Sequence, residues 1–197
     1  MFGTSQMISR ASHTITLAEP LPSTISPDSV IALLRDHFTI MKLQPLVASV
    51  ELGKSEPAGN FSSHFSTLYA SNLGRTDNDI QVYTVHENVV IVPGIGTLGK
   101  KHISFRARFQ DFEDGVRSEA NAPGDVVLYA VWCLERQDGG NGQCMLREDV
   151  RVKCPSLLIA FVRWTMERAH RELFQRLMDK LRHSGDKSSA EACGKHS

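Results

Sequence analysis

The stretch SLLIAFVRWTMERAHRELFQRLMDKL, Ser156 to Leu181, decides the fold. Within it Leu158, Phe161, Val162, Thr165, Ala169, Leu173, Leu177 and Leu181 recur at three- and four-residue steps, which puts them on one face of an α-helix. Arg163, Glu167, Arg171, Gln175 and Asp179 occupy the opposite face. A helix with one apolar stripe must lay that stripe on something, and the segments upstream read mostly as strands. The expectation is a sheet gripping one helix.

Working back toward the N-terminus, Cys144 to Cys154 is a strand that feeds this helix directly, and Val126 to Arg136 is a strand apolar on both faces. Lys101 to Phe112 and Val116 to Ala120 form a hairpin through Glu113-Asp114-Gly115, because Asp-Gly is a strong turn signal. Gln81 to Val92 and Leu46 to Leu52 also alternate as strands, as do His13, Ile15 and Leu17. Between them one short helix is expected, with Ser26 as N-cap, Pro27 at its first position and Val30, Ile31, Leu34, Phe38 and Met41 on its apolar face. Gly53 to Asp79 is rich in Ser, Gly and Asn, with room for a short strand around Phe65 to Ala70. Residues 1–11 read as a flexible start, 12–182 as a single domain, and 183–197 as a polar, disordered tail.

The 197 residues suit one domain, and with Lys plus Arg and Asp plus Glu both at 22 the net charge gives no electrostatic reason to expect nucleic acid or an anionic membrane as partner. The longest apolar run, LLIAFV, stops at Arg163, well short of the roughly 18 residues of a membrane span. No secretory, prenylation or peroxisomal signal is legible. Cys133, Cys144, Cys154 and Cys193 show no C-x-x-C spacing, so they read as free thiols of a reducing, cytoplasmic setting.

The order of elements gives an α+β fold in which a curved antiparallel sheet of about six to seven strands wraps a long C-terminal helix. A gap between the two would be a ligand cavity. The runs PGIGTLGKKHISFRARFQDFEDGVRSEANAPGD, CMLREDVRVKCP and FVRWTMERAHRELFQRL resemble an uncharacterised fungal domain family of the START-like, polyketide-cyclase-like helix-grip proteins. The resemblance spans most of residues 12–182, and the Ser-rich insertion after Gly53 departs from it. It implies a hydrophobic small-molecule ligand, such as a polyketide, terpenoid, lipid or sterol, without assigning an activity.

Gly94-Ile-Gly96-Thr-Leu-Gly99 spells a dinucleotide fingerprint, but that motif needs a helix after it to hold the phosphate, and His102 to Phe112 alternates as a strand. No cofactor is expected. Dispersed histidines and cysteines give no metal-site spacing, and no serine sits in a G-x-S-x-G elbow.

Glu148 shares a strand face with Leu146, Val150 and Val152, and Glu87 shares one with Tyr83, Val85, Val89 and Ile91. An inward carboxylate must find a partner or rise in pKa, and either outcome serves acid/base work. The plainer reading of each is a structural ion pair. His86 points to the other face from Glu87. The expected pocket lining is Tyr83, Val85, Phe105, Phe109, Leu128, Trp132, Leu146, Val150, Phe161, Thr165 and Ala169, all of which also suit an ordinary core. Thr165 and His170 are the polar groups that could meet a ligand from the helix.

Two functions follow. One is a cofactor-free cyclase, isomerase or Diels-Alder-like pericyclase of fungal secondary metabolism, with Glu148 and Glu87 as acid/base or orienting residues. The other is a non-catalytic lipid or sterol carrier or sensor.

Overall fold

The computed structural model describes residues 9–57, 79–90, 100–136 and 143–193, with side chains described as far as residue 183. Alternating side chains build seven strands: β1 (Arg10–Pro20), β2 (Val47–Leu52), β3 (Gln81–Val90), β4 (Lys100–Phe112), β5 (Gly115–Ala122), β6 (Val126–Arg136) and β7 (Cys144–Pro155). They form one antiparallel sheet in the order β1-β7-β6-β5-β4-β3-β2. Helices α1 (Pro27–Arg35) and α2 (His37–Leu43) connect β1 to β2, and a 3-10 turn (Ser156–Leu158) carries β7 into α3 (Ile159–Cys193).

The single short helix expected after Pro27 is two. Ser26 caps α1 as expected, its Oγ accepting from the Ser29 amide at 3.2 Å, but Asp36 ends α1 with ψ at 73° and its carboxylate then caps α2 by accepting from the Thr39 amide at 3.0 Å. The break turns α2, so Phe38, expected on the apolar face, stands 42% exposed and His37 is buried in its stead. His37 lies over Phe109 and is held by the Tyr83 hydroxyl at 3.2 Å and Asp111 at 2.8 Å.

The long helix lies along one side of the sheet, not down its middle. His13 meets Glu167 at 2.7 Å and Glu19 meets Arg182 at 2.5 Å, so α3 runs beside β1 in the same direction. Its far half closes one end of the molecule: Leu173, Phe174, Leu177, Met178 and Leu181 pack with Leu34, Ile40, Met41, Val116, Trp132 and Leu146. Burial of such side chains is worth about 2 kcal/mol each. Met166, nearer the start of α3, packs on Ile15, Ala130, Val150 and Val152. The helix continues past the expected end at Leu181 to Cys193, so residues 184–193, read as part of an unstructured tail, are helical. Adding turns to an existing helix needs no apolar stripe. The expected strand at Phe65 to Ala70 and the Gly94 to Gly99 motif lie outside the described residues. Lys100–Phe112, which follows that motif, is strand, so no helix is there to receive a phosphate.

Gly115 opens the hairpin strand β5 where only hydrogen fits, since a Cβ there would overlap the carbonyl oxygen of Trp132. Gly115→Ala is therefore expected to lower the unfolding free energy in urea by at least about 2 kcal/mol. A loss below about 0.5 kcal/mol would mean the hairpin shifts freely to make room.

Candidate active site

Between α3 and strands β3 to β6 lies a cavity of about 420 Å3, within the usual range for small-molecule sites. Small side chains make it. Ala107, Ala120, Ala122 and Ala130 line its wall with Ser118, and pairing sets Ala107 opposite Ala120 and Ser118 opposite Ala130. A sheet face of larger residues would reach the helix and fill the gap. The stripe of α3 divides accordingly: Leu158, Phe161, Val162, Thr165 and Ala169 face the cavity, while Leu177 and Leu181 pack in the closed end.

Of the expected lining, Val85, Phe105, Phe109, Leu128, Trp132, Phe161, Thr165 and Ala169 line the cavity. Tyr83, Leu146 and Val150 point inward but are not among its lining residues. Tyr83 is held by His37, Leu146 belongs to the closed end, and Val150 lies in the Met166 cluster. The connection from α2 to β2 adds Gln44 and Leu46, and the start of β2 adds Val47, none of them in the expected lining.

The two carboxylates part company. Glu87 lines the cavity, level with Val47 on β2 and Ile103 on β4. Glu148 does not line it. It sits between Leu17 and Trp132 across the sheet, fully buried, with His170 of α3 between it and the open space. Nδ1 of His170 and Oε1 of Glu148 are 2.5 Å apart, and His170 itself lines the cavity. With Nδ1 committed to Glu148, Nε2 is the nitrogen left to meet a ligand. Oε2 of Glu148 is buried without a hydrogen-bond partner among the described residues, as are Oγ1 of Thr165 and Oε1 of Gln44.

These groups tune one another. Burial pushes the Glu148 carboxyl up, and the charge and hydrogen bond of His170 pull part of that back. Burial alone would push His170 down, but the charge and hydrogen bond of Glu148, with the charge of Glu87, more than offset it, so His170 holds its proton to higher pH than a free imidazole. Burial raises Glu87 to about 7, against the opposing influence of His170. Two carboxylates and one imidazole thus share one buried site and titrate as a coupled group.

Elsewhere, His86 lies on the opposite sheet face from Glu87, stacked on His102 at 5.6 Å and 3.5 Å from Glu51. Among the described residues no group of three or more His, Cys, Asp or Glu could hold a metal ion, and no helix is long and apolar enough to cross a membrane.

Comparison with known proteins bears on the fold. The crystal structure of Ara h 8.0201 matches with a TM-score of 0.53 at 12% identity, covering 87% of this chain and 98% of that one. That of TTHA0849 from Thermus thermophilus matches with a TM-score of 0.53 at 15% identity, covering 87% and 99%. The di-domain ARO/CYC BexL from the BE-7585A biosynthetic pathway matches with a TM-score of 0.53 at 13% identity, covering 85% of this chain and 49% of that one, so this chain spans about half of that protein. At such identities the likeness is one of fold, the helix-grip arrangement of a curved antiparallel sheet around a long C-terminal helix. No curated protein matches the chain. Residues 10–183 match the family described as Domain of unknown function (DUF7053), and the chain belongs to that family.

Proposed function

We propose that this protein is a cofactor-independent enzyme of the cyclase or isomerase type, which moves a proton within a hydrophobic substrate enclosed by the sheet and α3. The observation that carries this reading is the His170–Glu148 pair, buried at the edge of an apolar cavity that Glu87 also enters. A container for a lipid or sterol has no use for a buried ion pair, whose desolvation costs several kcal/mol. The di-domain ARO/CYC neighbour shares the fold and is consistent with the reading. A polyketide or terpenoid of fungal secondary metabolism is the substrate class we favour, and a Diels-Alder-like closure would use the same enclosure.

The chemistry follows from the groups present. His170, cationic against Glu148, donates a hydrogen bond from Nε2 to a carbonyl oxygen of the substrate and steadies the charge that develops there. Glu87, near its midpoint at pH 7, takes a proton from the adjacent carbon when ionised and returns it at another carbon. The proton count balances without redox change. Glu148 acts as a positioning residue, fixing the tautomer and direction of His170, and is not itself at the cavity wall. The alternative, a non-catalytic carrier, draws on the wall formed by β5 and β6, which is apolar except for Ser118.

The two readings separate in deuterium oxide. Native mass spectrometry of the protein from its own source identifies a retained ligand, which is then incubated with fresh protein in that solvent. An enzyme returns it rearranged or deuterated at carbon, and His170→Asn slows this by at least about a hundredfold. Recovery of the ligand unchanged and undeuterated would leave the carrier reading in its place.

Glu87 also makes stability fall with pH. Its carboxyl is raised from 4.5 to about 7, so between those values the unfolded chain has released the proton while the folded one keeps it. Folding loses about 3 kcal/mol across that window and no more above it. Glu87→Gln lacks this contribution, so urea titrations should show it gaining on the wild type from pH 4.5 to pH 7. A pH-independent difference would mean that Glu87 is solvated.

A further inference from the structure

The 3-10 turn and the first turns of α3 are together apolar on two faces. Leu158, Val162 and Thr165 turn to the cavity, whereas Leu157, Phe161 and Trp164 stand 93%, 37% and 49% exposed. Leu157, Phe161, Trp164, Arg168 and Arg171 follow one another at steps of four, three, four and three, making one exposed stripe that begins apolar and ends cationic. Phe161 and Leu158 belong to the cavity lining together with Pro123, Gly124 and Lys101, so the stripe starts at the cavity's rim. A contiguous exposed apolar patch at such a place marks a contact surface.

We propose that this stripe docks the protein on an anionic lipid bilayer, with the cavity rim against the membrane, so that an apolar ligand passes between acyl chains and cavity without crossing water. The local charge fits such a partner. Arg163, Arg168 and Arg171 are exposed on α3, and Lys100 and Lys101 are exposed on the strand that supplies the facing rim. Among the described residues the acids near this stripe are Glu167, bonded to His13 at 2.7 Å, Glu172, paired with Arg176, and Asp125 in the β5–β6 turn. A chain of zero net charge thus carries a local excess of cations. Trp164, with the Arg168 guanidinium 6.0 Å from its ring, combines an apolar body with a cationic neighbour, the pairing that suits the headgroup boundary. A second copy of the chain is a poorer fit, because a two-fold contact through this stripe would set arginine against arginine.

The protein carries its own reporter. Trp132 is 3% exposed and lines the cavity while Trp164 is 49% exposed, so a change in emission on adding vesicles that persists in Trp132→Phe reads Trp164. The protein should sediment with vesicles containing about one third phosphatidylserine, with a blue shift, and bind at least about tenfold more weakly to pure phosphatidylcholine or in high salt. Leu157→Ser and Trp164→Ala, neither in the cavity lining, should each weaken vesicle binding by about tenfold while circular dichroism and binding of anilinonaphthalene sulfonate in the cavity stay as in the wild type. Absence of sedimentation with either vesicle would overturn the proposal, as would retention unchanged in both variants. So would sedimentation-velocity dimers that dissolve on Trp164→Ala in a protein that ignores vesicles.

Discussion

One helix cannot fill the concave face of seven strands, and most of what distinguishes this molecule follows from how that shortfall is met. A helix with its side chains is roughly 10 Å across, while strands lie almost 5 Å apart, so α3 covers about two of them closely. It takes β1 and β7, tied by His13 to Glu167 and Glu19 to Arg182. At one end α1 and α2 supply the missing cover, with His37 clamped between Tyr83 and Asp111. At the other end no described element does, and the alanines of β4, β5 and β6 keep the space open.

That space changes the electrostatics of everything beside it. A carboxylate buried without a partner costs several kcal/mol, and the whole stability of a domain is about 5–15 kcal/mol. The chain can therefore hold a site of this kind once, and only with compensation. Glu148 is compensated by His170 across a 2.5 Å contact. Glu87 is compensated at a distance, and its raised pKa reflects the burial that His170 does not offset. Outside the cavity lining the ionic groups are paired directly with arginines: Arg108 spans Glu56 and the buried Glu119, and Arg147 holds the buried Asp149.

The features legible in the sequence are those governed by a local period. The three- and four-residue steps of Leu158 to Leu181 gave the helix and its buried face, and the two-residue steps turned Glu148 and Glu87 inward. What a period cannot say is which inward residues meet. Glu148 and His170 are 22 positions apart on different elements, so their pairing, and with it the retreat of Glu148 from the cavity wall, is a property of packing. The same holds for Tyr83, Leu146 and Val150, correctly inward yet absorbed by neighbours. A usable signal was present in Ser118, Ala120 and Ala122, since alternate small residues on a strand face leave room in front of them. The split of the first helix was signalled too, by Asp36 standing three residues before Thr39 as a cap would.

The pairing of β1 with β7 has a consequence for how the protein is made. Arg10 lies opposite Pro155 and Pro20 opposite Met145, so the first strand finds its place beside the last. On a ribosome, β1 and its apolar residues Ile15 and Leu17 emerge before β7 and wait for it while β2 to β6 are made. Closing a loop of that length is slow, and a waiting strand edge is open to wrong partners. Only when α3 follows β7 out of the exit tunnel can His13 meet Glu167, so β1 is locked by an element made long after it.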